Sequence, residues 1–420
     1  MKLSSIKINK ESFLQGDIVV WMILLALCMI SVVEVYSASS NMTYKTGQYW
    51  RPVVEHASYI MFGLFIAWVV HKVPCTLFKI LCTFGLLISF ILLLFVLFTA
   101  RINGAARWLA IAGITIQPSE IAKITLVGTV AMLFATLRDK ETGGVSMKGF
   151  KCVALLTAIT CVLIVGENFS TAGIIFIVIF LMTWVAQGPR KWLLTIVAGI
   201  MLVGGIGFAT LKLTPQETAH KISELPMLHR FETWSNRIKG GSELPADPMK
   251  YDIHENIQVT HAQIAIATCN VIGKGPGQSV ERDFLPQAFS DFIYAIIIEE
   301  AGILGGVVVM GLYLLLLYRS LRIAERCRNR FPAYLVIGLS LMMVVQAMVN
   351  MAVAVGAMPV TGQPLPLVSK GGTSTFITCA YIGMILSVSH TAKLTEEAAK
   401  EGSKDEVGTE NKTETETEST

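Results

Sequence analysis

The chain has 420 residues, of which 53% are hydrophobic and only 15% charged, with a formal net charge of +4. A mean hydropathy of +0.60 together with many long uncharged runs excludes an ordinary soluble domain and implies an all-α polytopic integral membrane protein. No basic stripe with interleaved aromatics is present, which argues against nucleic acid as a partner, and no CxxC, HxxxH or HExxH spacing points to a metal site built from protein ligands alone.

Residues 1–16 are a polar extension bearing Lys2, Lys7 and Lys10, read as a cytoplasmic extension rather than a cleavable signal peptide. Apolar runs follow at about 17–38, 56–74, 77–99, 118–137, 150–166, 170–187, 192–212, 291–318, 333–356 and 372–390. A membrane helix needs ~20 residues, so these runs predict ten spans with both termini on one side. Fifteen Lys and Arg fall in the short loops on the N-terminal side, against five opposite: Lys45, Arg51, Arg101, Arg107 and Lys370. That bias puts both termini in the cytoplasm.

Between spans seven and eight lie about 75 residues, Thr214 to Gln287, far more than helix connections usually need. This outer loop, about 213–287, holds Trp234, His254, Gln258, His261 and the Gly-rich turn Gly273-Lys274-Gly275-Pro276-Gly277. Its apolar residues predict short helices lying across the outer face. Residues 17–391 thus form one membrane domain. The remaining stretch, 392–420, is rich in Glu, Lys and Thr and is expected to be a disordered cytoplasmic tail.

Several constellations can carry chemistry. Pro286–Gly302 reads PQAFSDFIYAIIIEEAG, with Asp291 where a polar loop becomes apolar and Glu299 and Glu300 inside the run. Acidic groups at membrane depth mark a site by default; the plainer reading is that Ser290 or Asp291 caps a helix and the glutamates pair with buried donors. Glu120 and Lys123, three apart in QPSEIAK, share a helix face. They read either as a self-neutralising pair or as a cation tuned for an anionic headgroup. Arg107 beside Trp108 reads as an interfacial anchor or as a phosphate ligand. In Glu167-Asn168-Phe169-Ser170, Asn168 or Ser170 caps a turn, and Glu167 has no assigned role. The last outer loop, from Met358 to Ser374, is stiff with proline and glycine and ends at a helix start, where backbone donors with Ser369 and Lys370 suit an anion.

In order, NGAARWL, QPSEIAK, ENFSTA, a long outer loop, LPQAFSDFIYAIIIEEAGILG and PVTGQPLPLVSKGGTS resemble the shape, elongation, division and sporulation family over roughly Asp17 to Ser389. The resemblance implies a ten-helix membrane glycosyltransferase that polymerises lipid II into glycan strands on the outer face. It also implies a class B penicillin-binding protein (a transpeptidase) and other divisome proteins as partners, and Asp291 as the essential carboxylate. The charged N-terminus and acidic tail look more like the division type, which implies the septum as location. This chain departs from the family pattern at Gln287 and Phe289, where a Glu and a His are common, at Asn168 for Asp, and at Lys370 for Tyr.

Within that reading Asp291 is the general base. Lys370, Arg107, Lys123 and Lys274 are candidates for the diphosphate, with Glu120 and Ser369 beside them and Glu167, Gln258, Glu299 and Glu300 in support. A Mg²⁺ or Mn²⁺ ion bridging Asp291 and the diphosphate is an alternative role for the same carboxylate. A lipid II flippase and a non-catalytic divisome scaffold are the competing functions.

Overall fold

The computed structural model describes residues 14–38, 51–98, 108–111, 114–139, 143–215, 257–285 and 290–417, with the isolated residues 218, 222 and 235. Arg107, Trp234, His254, Gln287 and Phe289 lie outside them. The helices are α1 (Ile18–Ala38), α2 (Arg51–Val70), α3 (Cys75–Val96), α4 (Pro118–Thr136), α5 (Met147–Val165), α6 (Phe169–Val185), α7 (Arg190–Leu213), α8 (Ile257–Ala267), α9 (Ile293–Arg326), α10 (Arg330–Ala354) and α11 (Gly372–Thr417). Nine of the described helices are long and apolar enough to cross a membrane. The tenth expected span is α6, apolar but only 17 residues long. The molecule is an all-α polytopic membrane protein. The two named strands among the described residues form a small hairpin, β1 (Leu109–Ile111) with β2 (Ile114–Ile116), paired antiparallel with Leu109 opposite Ile116.

The bundle is centred on α10, which packs against α4, α6, α9 and α11. Its buried face runs from Phe331 through Leu335, Leu339, Met343 and Ala347 to Met351. Around that centre, α3 packs on α4, α2 on α11, α5 on α6 and α1 on α9. At one end of the bundle Asp17 pairs with Arg319 at 2.5 Å, and Trp21 meets His71 edge-on. The other end carries Asp291, the hairpin, and the loop before α11. By contrast α7 packs chiefly against α6 and is left almost wholly unburied along its apolar length.

Two elements differ from expectation. The first is the tail: α11 continues as helix to Thr417, through a segment expected to lack structure. The stretch that leaves the apolar part is rich in Lys, Glu and Ala, all good helix formers, and Lys393 lies 4.0 Å from Glu397 one turn on. The second is the run 291–318, expected to be one span starting at Asp291. The helix starts at Ile293, extends to Arg326 and is broken at Gly302, whose φ of 75° and ψ of −176° belong to a region that only glycine populates readily. Before the break, Ile293–Glu300 is buried on every side. After it, Ile303, Leu304, Val307 and Val308 are exposed, as for a lipid-facing helix.

Backbone groups freed by a break at membrane depth must be met by protein. Here the segment after α8 meets them. Lys274 N donates to Glu299 O (3.0 Å), Gly275 N to Glu300 O (2.8 Å), Ile303 N to Asn270 O (3.3 Å) and Leu304 N to Val271 O (3.3 Å). The two backbones approach so closely that Gly273 and Gly302 face one another with no room for a Cβ. One added at Gly302 would lie 2.3 Å from Val271 O, and one at Gly273 would lie 2.3 Å from Glu300 O.

Gly302→Ala is therefore expected to destabilise the protein by at least ~2 kcal/mol, from backbone strain and overlap together. Gly311→Ala, a helical glycine with nothing within 4 Å of its added Cβ, should leave stability unchanged or slightly raised. Thermal unfolding of the two variants in detergent checks the difference.

Candidate functional site

The glutamates before the break hold the outer loop. Glu299 and Glu300 are 0% and 1% exposed. Glu299 accepts from Lys274 Nζ (2.6 Å), Ser279 Oγ (2.5 Å) and Val280 N (3.1 Å). Glu300 accepts from Gly277 N (3.0 Å), Ser279 N (3.3 Å) and Ser37 Oγ of α1, with Arg282 Nη1 at 3.8 Å. Buried carboxylates persist when donors replace their lost water, and six hydrogen-bond donors and the Arg282 guanidinium do so here. Lys274 is thus taken up by Glu299. The basic partners of the two glutamates come from the loop, Lys274 and Arg282, and not from Lys123. Groups that might have lined a path through the membrane are closed off by the loop.

Lys123 and Glu120 form an ion pair at 2.7 Å, with Lys123 1% exposed. Lys123 Nζ also donates to Gln346 Oε1 of α10 (2.7 Å). From there a polar ladder runs along α10. Gln346 Nε2 donates to Pro364 O (3.0 Å), and Asn350 Nδ2, one turn further, donates to both Gln363 O and Asp291 O at 2.8 Å each. The Gln363 side chain donates in turn to Asn168 Oδ1 (3.2 Å) and Thr171 Oγ1 (3.0 Å) at the start of α6. Asn168 is also the N-cap of that helix, accepting from Thr171 N. Gln346 and Asn350 were overlooked in the sequence. Their signal is two amides four residues apart in an otherwise apolar run, which places both on one helix face.

Asp291 sits in the turn Ser290–Phe292, partly exposed. The N-cap of the helix is Phe292, with no side-chain cap bond, and not Ser290 or Asp291. Ser290 Oγ donates to Asp291 Oδ1 (2.9 Å). On the other side the carboxylate faces the last loop: a Cβ built on Gly362, whose φ is +66°, would lie 3.7 Å from Asp291 Oδ2. Ser369 Oγ donates to Ser290 O (2.5 Å) and accepts from Leu365 N (2.8 Å), so it stitches the loop to the turn that carries Asp291. Next to it, Lys370 lies 3.8 Å from Glu55 Oε2, a long and half-exposed pairing that costs little to exchange. Deeper, Ser31 Oγ donates to Val368 O (2.7 Å), and His56 Nε2 lies 2.7 Å from the same hydroxyl.

Glu167 lines a small cleft with Leu93, Leu97, Ser119, Ile164 and Asn168, so it borders the network through Asn168. Gln258 sits on α8, half-buried, three residues before His261, which pairs with Glu281 at 2.6 Å. Neither belongs to the group around Asp291. Among the described residues no cluster of three or more His, Cys, Asp or Glu side chains is placed to hold a metal ion. What converges is thus three of the motif segments, QPSEIAK, ENFSTA and SDF, on one irregular loop, with the carboxylate of Asp291 at its edge.

The family profile of FtsW/RodA/SpoVE cell cycle proteins matches residues 17–394. The chain belongs to this family. Among its relatives, the "probable peptidoglycan glycosyltransferase FtsW" of Coxiella burnetii is 28% identical over 397 residues, covering 91% of this chain and 99% of the relative. The protein of the same name from Halothiobacillus neapolitanus is 30% identical over 403 residues, covering 93% and 90%. The fold is shared with solved structures. One is a chain of a peptidoglycan synthase complex described as coordinating polymerisation and crosslinking (TM-score 0.67, 23% identity, 90% of this chain and 98% of that one). Another is the rod shape determining protein RodA of Thermus thermophilus (TM-score 0.62, 22% identity, 89% and 96%).

Removing one partner of a buried ion pair strands the other charge, at about 3–5 kcal/mol. Lys123→Met and Glu120→Gln should each destabilise the protein by roughly that amount, and the double variant by clearly less than the sum. A double-mutant cycle read by unfolding in detergent checks this.

Proposed function

We propose that this chain polymerises lipid II at the outer face of the cytoplasmic membrane, with Asp291 as the catalytic base. The chain is a peptidoglycan glycosyltransferase of the FtsW/RodA/SpoVE family, and the finer reading concerns its substrate and its chemistry. The observation that carries it is the surroundings of Asp291. A partly exposed carboxylate, held by Ser290 and facing a glycine of the last loop, stands beside a network that fixes the surrounding backbone.

Chain extension breaks the bond between the donor's anomeric carbon and its polyprenyl diphosphate. An acceptor sugar hydroxyl forms the new glycosidic bond, its proton passes to Asp291, and the diphosphate leaves with the electron pair. A base is most effective when positioned within hydrogen-bond reach of that hydroxyl. An α-linked donor giving a β-linked product fits a single inversion, so one carboxylate suffices.

The departing diphosphate needs positive charge. Lys370 is the first candidate, since it follows Ser369, whose hydroxyl bonds the turn that carries Asp291. Arg107 is the second candidate. Lys123 and Lys274 act less directly: each is held by a glutamate and steadies the site's walls. In the alternative role for the same carboxylate, Asp291 would hold a Mg²⁺ or Mn²⁺ ion, since such ions are held by one or two carboxylates plus substrate phosphates, and the ion would supply the positive charge for the diphosphate.

The charge bias of the loops supports cytoplasmic termini and an outward-facing Asp291. A class B penicillin-binding protein that crosslinks the product is the proposed partner, and the division septum the proposed location. A fluorescent fusion to the full-length chain is expected to gather at mid-cell; an even side-wall distribution would move the protein to the elongation machinery.

For the chemistry, the full-length protein is reconstituted with its cognate transpeptidase and given lipid II. Asp291→Asn and Asp291→Ala are expected to lower polymerisation at least ~100-fold, with the protein still folded. Undiminished glycan product from either variant removes Asp291 from the mechanism, and flipping of lipid II in vesicles without product would assign transport instead.

A further inference from the structure

Asp291 lies in a short turn that belongs to no helix, yet a base must be held to a fraction of an ångström. Ser290 and Ser369 act on one side of it, through the Ser290 hydroxyl and carbonyl. The main chain of Asp291 itself is held by a different residue. Asn350 is 1% exposed. Its Nδ2 donates to Asp291 O and to Gln363 O, both at 2.8 Å. One amide group therefore ties the turn that carries the carboxylate to the residue beside Gly362, the glycine that the carboxylate faces.

The orientation of this amide is fixed. Turned over, its oxygen would meet two carbonyl oxygens, which repel it, so only the NH₂ group can occupy that place. Asn350 Oδ1 is buried and accepts no hydrogen bond among the described residues. A buried unsatisfied acceptor is costly and calls for a reason. Gln346, one turn earlier, shows the contrast: its amide bonds the same loop through Pro364 O, and its oxygen is satisfied by Lys123. Joining the loop to α10 is thus achieved at Gln346 with both ends of the amide used. Asn350 instead joins the loop to Asp291 as well, through the two bonds of its NH₂ group.

We propose that Asn350 is a positioning residue for Asp291. It sets the distance between the carboxylate and the Gly362 backbone by clamping the main-chain carbonyls of Asp291 and Gln363. The inference rests on Asp291 acting as base. It assigns no contact between Asn350 and the substrate, so its loss affects the rate at saturation more than substrate capture.

The test compares Asn350→Ala, Asn350→Asp and Asp291→Asn in the full-length protein with its partner, over a range of lipid II concentrations and pH. Asn350→Asp keeps the shape and removes the donors. Both Asn350 variants are expected to lose about 10- to 100-fold in kcat, with KM within about twofold of the parent. The acid limb of the pH–rate profile should also move, because the carboxylate's surroundings change. A loss of folded protein would scale the profile without moving it. Should Asn350→Ala fail to fold, Asn350→Ser, which keeps one donor and leaves a smaller void, gives the same readout. Folded variants that keep kcat within about twofold, or that raise KM alone, overturn the proposal. The parallel Asp291→Asn arm separates the two claims: an active Asp291→Asn removes the base, whereas an inactive one beside an unaffected Asn350→Ala removes only the positioning role.

Discussion

Backbone polar groups inside a membrane protein must find partners within the protein, and the loop before α11 answers this requirement with four side chains from three helices, α1, α9 and α10. Pro364 O is met by Gln346, Gln363 O by Asn350, Pro366 O by Tyr313 and Val368 O by Ser31. An irregular, proline-rich stretch of chain is thereby held inside the helical bundle through four of its carbonyls. The site depends on it, because one of these side chains, Asn350, also bonds the turn that carries Asp291. Holding the loop and aiming the carboxylate are one network.

The break at Gly302 is the same requirement met a second time, by loop backbone instead of side chains. There the turn at Gly273 supplies and receives the hydrogen bonds that α9 has given up, and two buried glutamates accept donors from the residues that follow. This makes the long connection after α7 part of the core at its C-terminal end. The short buried helix Ile293–Ala301 lies between the two devices, with Asp291 just before it and the loop anchor at its end. A disturbance at either end is carried through about nine residues of stiff helix, some 13 Å at 1.5 Å per residue.

Much of the bundle was legible from hydropathy alone, since a run of spanning length has few other fates. The convergence of the motif segments was legible only as resemblance, because residues such as Asn168 and Gln363 are nearly two hundred positions apart and nothing local joins them. The break at Gly302 was hidden for a definite reason. Gly305, Gly306 and Gly311 follow it closely and are all helical, so glycine in that run carries no mark of which one takes positive φ. The partners of Glu299 and Glu300 were hidden similarly: a carboxylate in an apolar run announces that it has a donor, but not which. Gln346 and Asn350 were within reach of sequence reasoning, as a pair of amides on one face of an apolar helix, and were passed over because they carry no charge.

The claim on which the account turns is that the reacting sugar lies between Asp291 and the last loop. The most direct measurement is an experimental structure of the full-length protein with its partner and a non-hydrolysable lipid II analogue. The account predicts an acceptor hydroxyl within hydrogen-bond reach of Asp291, the anomeric carbon beyond it, and the diphosphate near Lys370. A sugar bound away from Asp291, with the carboxylate separated from every reacting atom by protein, would contradict it.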